Sequence, residues 1–104
     1  MLNESAYLNA ARHLAQNVVA KAESTEDRVN VAYETGTGKL PDDEELRMLS
    51  TLATDMHAMY EESPELAKEM CDGLELADDQ SAELAGWTVV VNTLYNLDIT
   101  KNKD

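Results

Sequence analysis

Apolar positions along this 104-residue chain recur at spacings of three and four from one end to the other, a period that predicts helices. Leu8, Ala11, Leu14, Ala15, Val18 and Ala22 mark a first helix from about Glu4 to Ala22. Ser24 is then a candidate N-cap, with Asp27 in the capping-box position. The short second helix it opens turns Val29, Ala32 and Tyr33 inward and stops near Gly36 and Gly38. Asp42 is the expected N-cap of a third helix, with Glu45 three residues on and the acids at 43–45 at the positive end of the helix dipole. Leu46, Leu49, Leu52, Ala53, Met56 and Tyr60 share one face of that helix, which is expected to end near Glu61. Ser63 caps and Pro64 starts a short fourth helix with Leu66, Ala67 and Met70 inside, and Gly73 is its natural stop. Asp78, Asp79 and Ser81 are candidate caps for the last helix.

That last helix holds the most apolar stretch, ELAGWTVVVNTLYNLD at 83–98. TVVV alone reads as a strand, but its neighbours overrule it. Leu84, Trp87, Val91, Leu94, Tyr95 and Asp98 lie on one helical arc, which Val90 and Leu97 widen. A helix so broadly apolar belongs at the centre, with the others packed against it. The expected fold is all-α, a small bundle of about five helices with the C-terminal helix central, in a single domain over 1–104. Trp87 is expected to fill the middle of the core, with ligand stacking as its other use. Thr88, Asn92 and Asn96 form a polar stripe beside the arc. Asparagine is a mediocre helix former, so Asn92 and Asn96 are expected to bond something specific. The turn at 36–41 or the connection at 73–80 is the expected partner, through loop backbone groups that need satisfying. An amide-lined ligand site is the alternative. Trp87, Asn92, Asn96 and Asp98 are thus the residues singled out, all in structural roles.

Charge is unevenly placed along the chain. The formal net charge is −13, and residues 23–83 hold 18 acids against 4 bases. Such a field repels nucleic-acid phosphates and anionic lipid. It reads as a solvated surface, as a docking face for a basic partner or a DNA mimic, or as a site for cations such as calcium or an adaptation to salt. No apolar run approaches the roughly 20 residues of a membrane span. The first residues also lack the apolar core of a secretory signal. Any export signal is expected to lie outside this chain.

Candidate chemistry is sparse. One cysteine, Cys71, excludes an internal disulfide, cysteine-based zinc sites and covalent c-type haem attachment. His13 and His57 have no neighbouring His or Cys at ligand spacing. No phosphate-cradling glycine loop, zinc-protease motif or nucleophile elbow occurs. The acid pairs Asp42-Asp43, Glu61-Glu62 and Asp78-Asp79 fall at helix starts or ends, where capping or solvation explains them, and none matches a calcium loop. Cys71 reads as a small buried hydrophobe. The expectation is a non-catalytic chain with no cofactor.

Three stretches resemble a known family. LNESAYLNAARHLA at 2–15 is similar to its Leu-Asn start followed by Ala-Ala-Arg and Leu-Ala. DRVNVAYETGTGKLPDDEEL at 27–46 is similar to its Arg-aliphatic, Tyr, Gly-Arg-Pro-Pro and Thr/Asp-x-Glu-Glu pattern. LAGWTVVVNTLYNLD at 84–98 is similar to its Ala-Ala-Trp-Thr and Asn-x-Leu-Leu-Asn-Leu-Asp-Glu ending. Here Lys39-Leu40 stands for Arg-Pro, Gly86 for the second Ala, Tyr95 for a Leu and Ile99 for the Glu. The family is the uncharacterised domain, here its C-terminal helical part, of large exported proteins of Planctomycetes and Verrucomicrobia. Those proteins often also carry a planctomycete cytochrome c-like domain. The resemblance implies a fragment or stand-alone relative of a larger extracytoplasmic protein. The resemblance supplies no function; the chain itself is expected to be a non-catalytic structural or interaction module whose partner is the rest of that protein or a separate protein. An acidic binding domain for a basic protein or calcium is the alternative reading.

Overall fold

Capping chemistry divides the chain where the spacing said it should. In the computed structural model, which describes the backbone of residues 4–101 and the side chains of 8–97, five helices follow one another. They are α1 (Glu4–Lys21), α2 (Thr25–Thr37), α3 (Asp43–Glu62), α4 (Pro64–Met70) and α5 (Asp78–Lys101). Ser24 Oγ accepts from the Asp27 N–H at 3.1 Å and opens α2. At α3 the capping box is complete. Asp42 Oδ1 accepts from the Glu45 N–H at 2.7 Å, and Glu45 Oε1 accepts from the Asp42 N–H at 3.0 Å. Helix α2 ends on Gly38, whose φ of +79° is the left-handed cap conformation that a residue without Cβ adopts at no cost.

Two caps differ from expectation. Ser63 precedes α4, but its side chain caps nothing, and the proline at the first position makes one fewer orphan N–H. The start of α5 is fixed from the other direction: Gln80 Oε1 accepts from the Ala77 N–H at 3.2 Å, and Ala77 O takes the first helical bond from Ser81. Ala77 therefore stands at the N-cap, and Asp78 and Asp79 lie in the first turn, where their charge suits the dipole.

Packing converges on α5, which touches α1, α2, α3 and α4. By contrast, among the described residues α1 makes no close backbone approach to α3 or α4. From Ser81 to Val91 every residue of α5 is buried except Glu83 and Val89, which are half-buried. Small residues make this approach feasible. A Cβ on Gly86 would lie 3.2 Å from the His57 backbone nitrogen, so α3 crosses α5 closer than an alanine there permits without a shift. Thr88 is fully buried, and its hydroxyl donates to Leu84 O at 2.8 Å within the same helix. Trp87, Val90, Val91 and Leu94 meet Val18, Val29, Leu49 and Tyr60 in one continuous core. The radius of gyration, 13.1 Å, matches the roughly 13 Å of a folded domain this long.

The inner face of α4 is narrower than expected. Ala67 and the capping Cys71 are buried and Met70 is half-buried, an i, i+3, i+4 set. Leu66 sits one position round the helix and is 51% exposed, because seven residues give only one inward stripe.

Candidate functional site

Two arginines dominate the polar contacts between helices. Arg28, in the first turn of α2, donates from Nε to Ala22 O at 2.8 Å and from Nη2 to Val19 O at 3.3 Å. Those carbonyls close α1, so a cation sits where the dipole is negative and acceptors lack helical partners. The same guanidinium donates from Nη1 to Glu83 Oε2 on α5 at 3.0 Å and lies 6.0 Å from the centre of the Trp87 ring. One side chain thus fastens the end of α1 and the start of α2 to the central helix. A planar fork with several fixed donors does this, and a lysine would not.

Arg12 plays the matching part at the other side of α1. Its Nε donates to Met70 O at 3.0 Å, at the end of α4, and Nη1 donates to Asn9 Oδ1 at 2.7 Å. Asp72 Oδ2 lies 3.8 Å from Nη1. Asp72 itself has a φ of +52°, a left-handed conformation that aspartate tolerates better than most residues. Arg12 joins two helices whose backbones stay apart. Tyr33 adds a third tie, its hydroxyl donating to Glu45 Oε2 at 2.7 Å between α2 and α3. Lys68 Nζ stands 3.5 Å from Asp78 Oδ1, an exposed pair between α4 and α5.

Sequence spacing missed the arginines' task. Their partners lie 55 and 58 positions away, beyond any periodicity. The available signal was compositional: each is a base beside an apolar stripe in a chain with only eight.

The singled-out residues fare differently. Trp87 is 5% exposed. Asn92 is half-buried, and its amide hydrogen-bonds no loop backbone among the described residues. Asn96 is exposed. The side chain of Asp98 lies outside the described residues. Thr88, read with the asparagines as one stripe, faces the core instead.

Cys71 is fully buried, its thiol 3.5 Å from Ser81 O. Burial pushes its pKa up, while Arg12 and the Ser81 contact pull it partly back. A thiol so placed is a poor nucleophile. Tyr60 is raised in turn, first by burial and then by Cys71. The Ser81 hydroxyl beside them is buried with no hydrogen-bond partner among the described residues. His13 is exposed, and His57 Nε2 stands 3.8 Å from Glu61 Oε2 one turn along α3. Among the described residues no three His, Cys, Asp or Glu side chains converge as a metal site, and no helix is long and apolar enough to cross a membrane.

A shallow groove opens where α1 stands off from α3 and α4, lined by Leu8, Arg12, Met59, Tyr60, Leu66 and Met70, with Glu69 at its edge. A second lies between α1 and α5, over Gln16, Val19, Leu76 and Leu84. No family model, curated protein or solved structure matches the chain.

Proposed function

We propose that this chain is a non-catalytic helical module, structural or interaction-making, of a larger extracytoplasmic protein. The observation that carries the reading is where the resembling residues lie. The three stretches similar to the exported-protein domain supply Arg12, Arg28, Glu45 and Trp87. These are the side chains that tie α1 to α4, α1 and α2 to α5, and α2 to α3. The resemblance therefore falls on the groups that hold helices together, as expected of a shared scaffold. The reactive groups point the same way: the thiol is buried with a raised pKa, and the two arginines are held by carbonyl and carboxylate oxygens. The acidic surface repels nucleic acid, and the rest of a parent protein or a separate protein is the partner that suits it.

The native reading frame tests this proposal. A frame continuing upstream into a cytochrome c-like domain supports the module. A complete gene of this length contradicts it and favours an independent acidic binder. Calcium distinguishes the two kinds of acidic binder. A melting-temperature rise in millimolar calcium, absent in matched magnesium, would favour a cation site over a protein-binding face. No such rise is expected.

A further inference from the structure

We propose that the groove between α1, α3 and α4 is a docking site for a basic amphipathic helix of another protein. The inference rests on reading the chain as an interaction module. Apart from Arg12 its floor is apolar and partly open: Leu66 is 51% exposed and Met59 38%, beside half-buried Leu8 and Met70. Two methionines give the floor a flexible, polarizable surface that adapts to different apolar side chains. The groove exists because, among the described residues, α1 makes no close backbone approach to α3 or α4, while Arg12 bridges α1 to α4 beneath it. A gap between helices receives a third helix through apolar anchors at i, i+3 or i+4 and i+7.

The rim states the sign of the occupant. Asp55 and Glu62 are one turn either side of Met59 on α3, and Glu69 is one turn from Leu66 on α4; all three are exposed. Between Arg47 and Lys68 the chain has Asp55, Glu61, Glu62 and Glu65 and no Lys or Arg. Lys68 itself points to Asp78, and the Arg12 guanidinium is engaged by Met70 O, Asn9 and Asp72. An apolar floor with uncompensated acids around it matches a helix with an apolar stripe and flanking Lys or Arg. A second copy of this chain is disfavoured, since each brings a net charge of −13 and the same acidic rim.

The probe is a fluorescein-labelled Leu/Lys peptide of about 18 residues, long enough for five helical turns. Its control has the same composition with the leucines spread around the helix. Fluorescence anisotropy at moderate salt reads both against the whole chain. The amphipathic peptide should saturate and bind at least about tenfold tighter than the control. Leu66→Ser with Met59→Ser should weaken it by about tenfold or more. Asp55→Asn, Glu62→Gln and Glu69→Gln together should weaken it most at low salt. Leu40→Ser, in the loop at the opposite end of α3, should change nothing. Circular dichroism checks that each surface variant folds. Equal binding of the two peptides, or binding indifferent to the groove substitutions, overturns the proposal in favour of unspecific charge attraction. Absence of binding overturns it too, and so does self-association of the chain that Leu66→Ser abolishes. None of these results touches the module reading, which the reading frame decides separately.

Discussion

The two halves of α5 have very different surroundings. From Ser81 to Val91 the helix is buried on almost every side; from Asn92 to Leu97 only Leu94 is buried. The first half is rich in small residues, Ser81, Ala82, Ala85, Gly86 and Thr88, and neighbours close in around it. Cys71, capping α4, lies on Ser81, the α3 backbone crosses at Gly86, and Arg28 brings the end of α1 and the start of α2 to Glu83. The second half carries Leu94 and Tyr95 against the end of α2 at Gly36, with its other sides half-open. Apolar width alone does not bury a helix. Neighbours need small side chains to come close, and polar ties to hold their ends there.

Trp87 lies in the enclosed half, and Trp87→Ala should give the largest effect, costing about 3–5 kcal/mol. In a domain with roughly 5–15 kcal/mol of total stability, that removes much or all of the fold. Urea unfolding followed by circular dichroism measures it, and a cost below about 1 kcal/mol would break the comparison. Arg28→Met should come next. It strips charged donors from Val19 O, Ala22 O and Glu83, for a cost of about 2–3 kcal/mol. Glu83→Gln, at a partly exposed site, should cost under about 1 kcal/mol. If the two substitutions cost the same, the ion pair rather than the carbonyl bonds fastens the helices.

Alkaline pH probes the same half through Cys71. Burial raises the thiol above its ordinary 9.0, so the folded state holds the proton more tightly than the unfolded chain does. Stability is then full below about pH 9 and falls as pH rises through the raised value. Tyr60 and Tyr95, both raised by burial, add a decline of the same sign starting above 10.0. Urea midpoints from pH 7 to 11 should be level and then drop, and Cys71→Ala should delay the drop. The smallest effect belongs to the open half. Asn92→Leu removes an amide without a hydrogen-bond partner among the described residues, and should change stability by no more than about 0.5 kcal/mol. A cost of 1–3 kcal/mol would restore the loop clamp that the spacing of the asparagines suggested.

Much of the architecture was legible in the sequence because helices are local. The period of the apolar positions, Asp42 with Glu45, and Gly38 set helix limits through contacts only a few residues apart. The central place of α5 was legible too, since an arc including Leu84, Trp87, Val91 and Leu94 needs covering on several sides. The ties between helices were not. Arg12 with Met70 and Arg28 with Glu83 depend on where whole helices come to lie, which no spacing encodes. Leu66 shows the reverse error: helical period placed it inward, but a helix of seven residues had only one stripe to bury. Asn92 lies half-buried beside the core with no hydrogen bond to loop backbone among the described residues, a pairing that depends on tertiary placement and not on helical spacing.

Native-state hydrogen exchange tests most directly whether the enclosed half of α5 is the common core of the bundle. The amides of Leu84 to Val91 should exchange only through global unfolding, with a free energy equal to that from urea denaturation. Those of Thr93 to Leu97 should exchange faster, through local opening that leaves the rest folded. Uniform protection along α5, or faster exchange at Leu84 to Val91 than at Thr93 to Leu97, would contradict the account.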